Sequence, residues 1–359
     1  MIFKLFKSRG KLGIDIGTSA IKIVEFEKEG GRFALKNYGL FEFKSSDGAS
    51  ATTDLKQVQN IFKLPDSEII WGIKEVLKKA KIRAADVVAS IPSFSTFATV
   101  IDMPYLSEQD LAKSLPFEAR KYIPIPLSEV VLDWSIIDIP KGQSDATKPT
   151  TVEVFLAAVP KDETIRYQRI MQGAGLNLRA LELENSALIR ALLGNDLSPT
   201  MIVNIGGRST SIVIINRGYE RVSHNYEIGG FEITKSIARS LSISLEKAEE
   251  LKKKLGLKEI DENIINSAMK SLVDMMAFET RKTMTNYEET KNQKISRVLL
   301  VGGLINMPNF ANYFQNKLGR EVFIGNALAR VVYPQTLSLI TQELSSTFAV
   351  AAGLAMREI

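Results

Sequence analysis

Residues 11–17, Lys11-Leu12-Gly13-Ile14-Asp15-Ile16-Gly17, are apolar and close on glycine. Ile21, Ile23 and Phe26 then alternate with Lys22, Glu25 and Glu27, the two-residue period of a strand with one buried face. Phe33-Ala34-Leu35 and residues 38–43 predict a further strand, and the polar run 44–57 a loop. Ile69, Ile70, Ile73, Val76, Leu77 and Ala80 share one helical face that runs out in Lys78, Lys79 and Lys81, charges suited to a helix C-terminus. A strand over 87–91 is stopped by Pro92. Then come a strand over 95–102, a helix over 107–122 opened by Ser107 with Asp110 three residues on, and a strand over 130–138. The run Ile123-Pro124-Ile125-Pro126 ends that helix, because proline has no N–H to donate. After a loop at 140–151, a strand over 152–159 and a helix over 161–173 complete a small α+β module that begins near residue 85.

The second half repeats the opening. Met201-Ile202-Val203-Asn204-Ile205-Gly206-Gly207 has the same apolar run, single polar residue, isoleucine and glycine. Ile212-Val213-Ile214-Ile215 follows it as Ile21-Lys22-Ile23-Val24 follows Gly17. Two charged helices over 232–256 and 262–286, a buried strand over 297–301 ending at Gly302-Gly303, and an apolar helix over 347–356 finish the chain. The pattern is that of an α/β protein of two related halves with an insertion in the first.

Composition narrows the chemistry. The 359 residues are 45 % hydrophobic and 24 % charged, ordinary globular values. A net charge of +5 is too small to mark a dedicated nucleic-acid binder, and no nucleic-acid partner is expected. Without cysteine there is no disulfide, thiolate nucleophile or thiolate-held metal, which suits a reducing compartment. A single histidine, His224 between Ser223 and Asn225, is below the ligand count of a histidine metal site and reads as structural, at a turn or strand end. No apolar run reaches the roughly 18–20 residues that span a bilayer. Residues 1–9 mix apolar and basic side chains and read as a frayed first strand or a weak lipid contact. A cytoplasmic location is expected.

Three glycine turns carry the candidate chemistry. Asp15-Ile16-Gly17-Thr18-Ser19 lies between two strands, where glycine lets backbone N–H groups approach an oxyanion and the two hydroxyls add donors. Asp15 is placed to hold the waters of a Mg²⁺ ion, and Lys22 adds positive charge. Asn204-Ile205-Gly206-Gly207-Arg208-Ser209-Thr210 repeats that logic, and Gly302-Gly303-Leu304 follows a buried strand. Together they describe a nucleotide held between two halves.

These turns resemble the two phosphate motifs and the adenosine motif of the actin-like ATPases. Four further stretches make the resemblance narrower: Ile101-Asp102-Met103-Pro104, Leu115-Pro116-Phe117-Glu118-Ala119-Arg120-Lys121-Tyr122-Ile123-Pro124, Val130-Val131-Leu132-Asp133-Trp134 and Glu227-Ile228-Gly229-Gly230. With residues 348–355 they make the chain similar, over 11–356, to the FtsA-related PilM family of type IV pilus assembly proteins. The resemblance implies an actin-like (ribonuclease H-like) α/β fold of two domains about a nucleotide cleft. It divides the chain into subdomain 1A (1–84, returning at 179–198), an inserted subdomain 1C (85–178), 2A (199–235, returning at 297–336), 2B (236–296) and a C-terminal helix (337–359) that returns to 1A. It implies ATP and Mg²⁺ as cofactors. Gly17, Thr18, Ser19 and Lys22 would face the β and γ phosphates, with Asp15 at the metal. Gly206, Gly207 and Thr210 would cradle phosphate from the other side, and Gly229 and Gly230 would also bind the nucleotide. Gly302 and Gly303 would lie against adenosine, and Glu249 and Lys252, three apart on one helix face, would hold ribose or base.

The sequence departs from the resemblance at two positions. Asn204 stands where an aspartate is usual, keeping an acceptor oxygen but losing the charge that supports Mg²⁺. Leu304 stands where a third glycine is common and is expected to narrow the base pocket. The expectation is a slow ATPase at most, with Asp15, Asn204 and Glu184 as the residues nearest to catalysis. The implied partner is the N-terminal cytoplasmic peptide of a PilN-like inner-membrane protein, bound between 1A and 1C near the helix at 107–122 and the strand at 87–91. Other platform and motor proteins, and further copies of the chain, join the implied partners. Membrane contact would be indirect, peripheral to the inner membrane. The alternatives carried from the sequence are an FtsA-like filament-forming division protein and a small-molecule kinase of the same superfamily.

Overall fold

The computed structural model describes residues 11–43, 64–138, 151–258 and 264–358. The stretch 1–9, the loop at 44–57 and nearly all of the loop at 140–151 lie outside the described residues.

The first apolar run forms β1 (Lys11–Ile16), which turns at Gly17 into β2 (Ala20–Glu29) and then β3 (Arg32–Glu42), all antiparallel. β4 (Asp86–Ile91) joins β1 in parallel, and β8 (Asn177–Leu183) joins β4. The two-residue β14 (Val331–Val332) closes the far edge, giving the order β14-β3-β2-β1-β4-β8. The second half builds β9 (Thr200–Ile205), β10 (Thr210–Asn216), β11 (Tyr219–Tyr226), β12 (Arg297–Val301) and β13 (Val322–Ile324) in the order β11-β10-β9-β12-β13. That order repeats β3-β2-β1-β4-β8, hairpin and parallel partners alike, so the duplication read in the sequence is a duplication of sheet topology.

A third sheet stands apart. β5 (Phe97–Pro104), β6 (Val130–Asp138) and β7 (Thr151–Pro160) pair antiparallel in the order β5-β7-β6. They enclose their own core with α2 (Glu108–Ala119), through Ile101, Leu111, Leu115, Val154 and Leu156. Ser107 caps α2 by accepting the Asp110 N–H at 3.2 Å. α2 ends at Ala119, three residues short of the expected end at 122, and carries Pro116 inside it. The strand at 87–91 and the helix at 161–173 were expected inside this module. β4 instead lies within the first sheet. α3 (Lys161–Gly173) packs with α1 (Asp66–Lys79) on that sheet, burying Ile69, Ile73, Tyr167, Ile170 and Met171 in one core.

α4 (Glu184–Leu192) leaves β8 directly and packs on the apolar C-terminal helix α10 (Ala349–Ala355), which follows α9 (Thr341–Thr347). The single helix expected over 232–256 is two, α5 (Gly230–Leu241) and α6 (Leu245–Leu255). Ser242 takes the left-handed conformation at φ 53°, and Ser244 caps α6 by accepting the Lys247 N–H at 3.3 Å. Serine offers the backbone a hydrogen bond that competes with helix continuation, which is why the break falls there. α7 (Ile264–Lys291) and α8 (Phe310–Leu318) complete the second core. His224 sits within β11 opposite Ile212, half exposed, rather than in a turn, with Nε2 3.8 Å from Glu279.

Candidate functional site

The first loop is a tight hairpin turn: the Gly17 N–H donates to the Ala20 carbonyl at 3.0 Å, and Thr18 and Ser19 are half-buried at its tip. The β1–β2 register places Lys22 directly opposite Asp15. Lys22 Nζ donates to Asp15 Oδ2 at 3.2 Å, while Ser90 Oγ, on the neighbouring β4, donates to Asp15 Oδ1 at 2.9 Å. Asp15 is 5 % exposed. Both of its oxygens therefore have partners, one of them a cation.

The second loop is built alike, with the Gly206 N–H donating to the Ser209 carbonyl at 2.9 Å. Its own carbonyls cap α5: Gly230 N–H donates to Gly206 at 3.0 Å and Phe231 N–H to Gly207 at 2.7 Å. A Cβ on Gly229, which precedes α5, would lie 2.7 Å from the Gly206 oxygen. Thr210 is turned inward, its hydroxyl donating to the Ile228 carbonyl at 2.6 Å. The two loops meet: a Cβ on Gly207 would fall 2.0 Å from Ser19 Oγ and 2.4 Å from Ser19 Cβ. The glycine is there because any side chain would drive the loops apart. Arg208 lies with its guanidinium carbon 4.5 Å from the Phe231 ring centre; burial draws its pKa down, with the Glu232 charge acting against it.

Glu184, at the start of α4, joins the two halves. Its Oε1 accepts from Asn204 Nδ2 at 2.7 Å and its Oε2 from the Ser93 N–H at 3.4 Å. Burial, and then the nearby Asp15 charge, push its carboxyl up to about 7, against the pull of Lys22, Ser93 and Asn204. Asn204 is thus more than an aspartate that has lost its charge: it is the amide donor to Glu184. A second polar chain starts one residue on. Ser93 Oγ donates to Asn185 Oδ1 at 3.0 Å, and Asn185 Nδ2 donates to Glu220 Oε2 at 2.8 Å.

The acidic–basic pair on α6 is buried on its lysine side. Lys252, 7 % exposed, donates to the Gly230 carbonyl at 3.0 Å, to Thr234 Oγ1 at 2.9 Å and to Glu249 Oε2, 2.6 Å away. Burial lowers the Lys252 pKa despite Glu249 beside it. Burial alone would raise Glu249, but the Lys252 charge and hydrogen bonds outweigh it and hold the carboxyl below its usual range. The glycine turn after β12 reaches the same place. Gly302 has φ 103° and its Cβ position lies 2.2 Å from the Ile205 carbonyl, so only glycine fits. A Cβ on Gly303 would meet nothing. Leu304 is buried in the second core, its Cδ1 3.5 Å from the Cβ position of Gly230. The three turns and the α6 pair, far apart in the chain, converge through Gly206, Gly230 and Ile205.

A groove of about 580 Å³ lies on the other side of α4. Val131 and Trp134 of β6, Phe155 of β7, Leu181 of β8, Ile189 of α4 and Tyr219 of β11 line its walls. Ile91, at the end of the strand expected to border a partner groove, lines it; no residue of the helix at 107–122 does. Ser90, Ser93, Asn185, Arg208, Thr234 and Glu220 were not assigned roles from the sequence. Only Arg208, inside a glycine loop, carried a signal there.

A model of the family described as type IV pilus assembly protein PilM matches residues 13–359. The cell division protein FtsA of Enterococcus faecalis is 22 % identical over 350 residues, 88 % of this chain and 77 % of that protein. FtsA of Bacillus subtilis is 29 % identical over 159 residues, 40 % of this chain and 35 % of that one. A solved structure described as a PilM-PilN type IV pilus biogenesis complex superposes at a TM-score of 0.78 with 25 % identity, over 97 % of this chain and 98 % of that chain. The ethanolamine utilization protein EutJ from Carboxydothermus hydrogenoformans shares the fold, at a TM-score of 0.55 and 20 % identity over 96 % of this chain and 90 % of its own. The actin-like fold expected from the glycine turns is the fold of this chain.

Proposed function

The chain belongs to the type IV pilus assembly protein PilM family, and from that premise we propose that it is an ATP-binding adaptor of a pilus inner-membrane platform. The observation that carries the reading is the meeting of the two glycine loops at Ser19 and Gly207, the first following Asp15 and the second following Asn204, which bonds Glu184. ATP would sit where these loops face each other. Gly17, Thr18, Ser19 and Lys22 would contact its terminal phosphates from one side, and Gly206 and Gly207 from the other. Gly302, Gly303, Glu249 and Lys252 would form the nucleoside end. The Asp15 charge helps push the Glu184 carboxyl up, and a divalent cation beside Lys22 would offset that concentration of negative charge. Asp15 would hold Mg²⁺, which keeps most of its waters and takes few protein ligands.

Hydrolysis would be slow. Glu184, its carboxyl pushed up to about 7, would be the general base, yet it is held by donors on both oxygens, Asn204 Nδ2 and the Ser93 N–H, which orient it away from an attacking water. The partner is a PilN-like inner-membrane protein, the molecule named with the solved relative. Its cytoplasmic N-terminal peptide would dock in the groove beside α4, and the chain would sit at the cytoplasmic face through that contact. Among the described residues no helix is long and apolar enough to cross a membrane. A peptide that orders on binding gives modest affinity, open to control by the nucleotide.

The test is a single turnover: excess protein, labelled ATP with Mg²⁺, and chromatography of the bound nucleotide over hours. Intact bound ATP is expected. Failure to bind ATP would overturn the nucleotide site, and prompt conversion to ADP would overturn the slow-hydrolysis reading.

A further inference from the structure

The groove beside α4 is bordered by three sheet edges. Among the described strands, β8 ends the first sheet, β11 the second and β6 the third, and each contributes residues to the walls. An edge strand offers unpaired backbone donors and acceptors, the template on which an extended peptide adds. The groove's charges are not balanced. Arg190 forks onto Glu182, and Arg357 Nη1 lies 3.6 Å from that carboxylate. Arg221, next to Glu220, is 2.7 Å from Glu153. Two acids are left. Asp133 is exposed, with Oδ1 accepting its neighbour's N–H.

Glu220 is 4 % exposed and lines the groove. Asn185 donates to its Oε2 at 2.8 Å and Ser223 also hydrogen-bonds the carboxyl, but Oε1 is buried without a partner of its own and no ion pair reaches it among the described residues. A buried oxygen with no donor is a standing cost, removed when a ligand brings the donor. Shielding from water also makes an arriving cation count for more there than at a rim.

We propose that Glu220 is the point at which this groove reads a cationic group, the side chain of a lysine or arginine on an extended segment of the partner chain. The inference rests on the docking reading of the groove. Oε1 receives the incoming N–H, Oε2 stays on Asn185, and the segment's backbone runs along a free sheet edge.

The experiment uses the full chain and a fluorescein-labelled synthetic peptide of the PilN-like partner's cytoplasmic N-terminal segment. A second peptide has its lysines and arginines replaced by norleucine and citrulline. Anisotropy titrations are expected to show the uncharged peptide binding about tenfold more weakly than the charged one. Glu220→Gln, an isostere that keeps an oxygen for Asn185, is expected to lose that preference: the charged peptide weakens about tenfold and the uncharged one is unchanged. Equal binding of the two peptides to the parent chain overturns the proposal, and this comparison needs no variant to fold. So does a Glu220→Gln chain that weakens both peptides equally, the mark of a merely structural role. If neither peptide binds the parent, the docking reading itself fails and takes the proposal with it.

Discussion

Replacing Asn204 by aspartate would put a second carboxylate where an amide now donates to Glu184 at 2.7 Å. A hydrogen bond to a charged group contributes about 1.5–3 kcal/mol, and the variant loses that donor. Two carboxylates at this separation would repel by more, but the pair has an escape. The Glu184 carboxyl already sits near 7, so taking up a proton at pH 7 costs almost nothing. The protonated group then donates to the new aspartate. A raised carboxyl binds a proton in the folded chain that the unfolded chain, with its pKa near 4.5, has released. Stability from that proton is full at low pH and falls as pH rises through the folded value. In the parent the fall is over soon after pH 7. In Asn204→Asp the folded pKa moves higher, so the loss continues at about 1.4 kcal/mol per pH unit. Parent and variant should melt together near pH 6. By pH 8.5 the variant should be about 2 kcal/mol less stable, a gap of a few degrees for a chain of this size. Thermal melts by circular dichroism at the two pH values decide it. An equal gap at both, or a variant more stable at pH 8.5, would refute the pairing of Asn204 with Glu184.

The loop contact predicts a rescue. Gly207→Ala should weaken ATP binding about tenfold or more, because its Cβ would meet Ser19 at 2.0 Å. Gly207→Ala with Ser19→Gly should recover much of the loss in titration calorimetry; no recovery would show that the loops do not press on each other. Lys252→Met removes the donor to Gly230, Thr234 and Glu249, and should cost about 2–3 kcal/mol at pH 7. Glu249 is held below its usual range in the parent, so its contribution is present above the unfolded pKa and lost as pH falls through the folded one. The gap between parent and variant should therefore narrow below about pH 4.5. Melts at pH 7 and pH 4 that show a constant gap would contradict the pairing.

The halves were legible because the signals are local. The run before Gly17 and its copy before Gly206 each hold one strand ending in a glycine turn that leads into the next, and both hairpins follow from them. The insertion was legible as a module but not at its edges. β4 and α3 have patterns that would suit either sheet, and only the long-range pairing of β4 with β1 and β8 decides. The convergence of Gly206, Gly230, Lys252 and Leu304 was suggested by the resemblance, not by spacing. The Glu184–Asn204 hydrogen bond was hidden, because a strand end and a neighbouring half must dock before an amide and a carboxylate meet. The break at residues 242–244 was written in two serines, yet the charged periodicity on either side of them reads straight through.

Residues 184 and 185 are joined by one peptide bond, yet they serve different neighbourhoods. Glu184 faces Asn204 and the loops; Asn185 faces Glu220 and the groove. Ser93 holds both, through its N–H and its hydroxyl. Such sharing constrains the lineage as much as the molecule. A change that refits the groove to an altered partner must pass through the turn of helix that also seats Glu184. Variants selected for a new partner should therefore arrive with altered nucleotide affinity, and the two properties would drift together rather than be tuned one at a time.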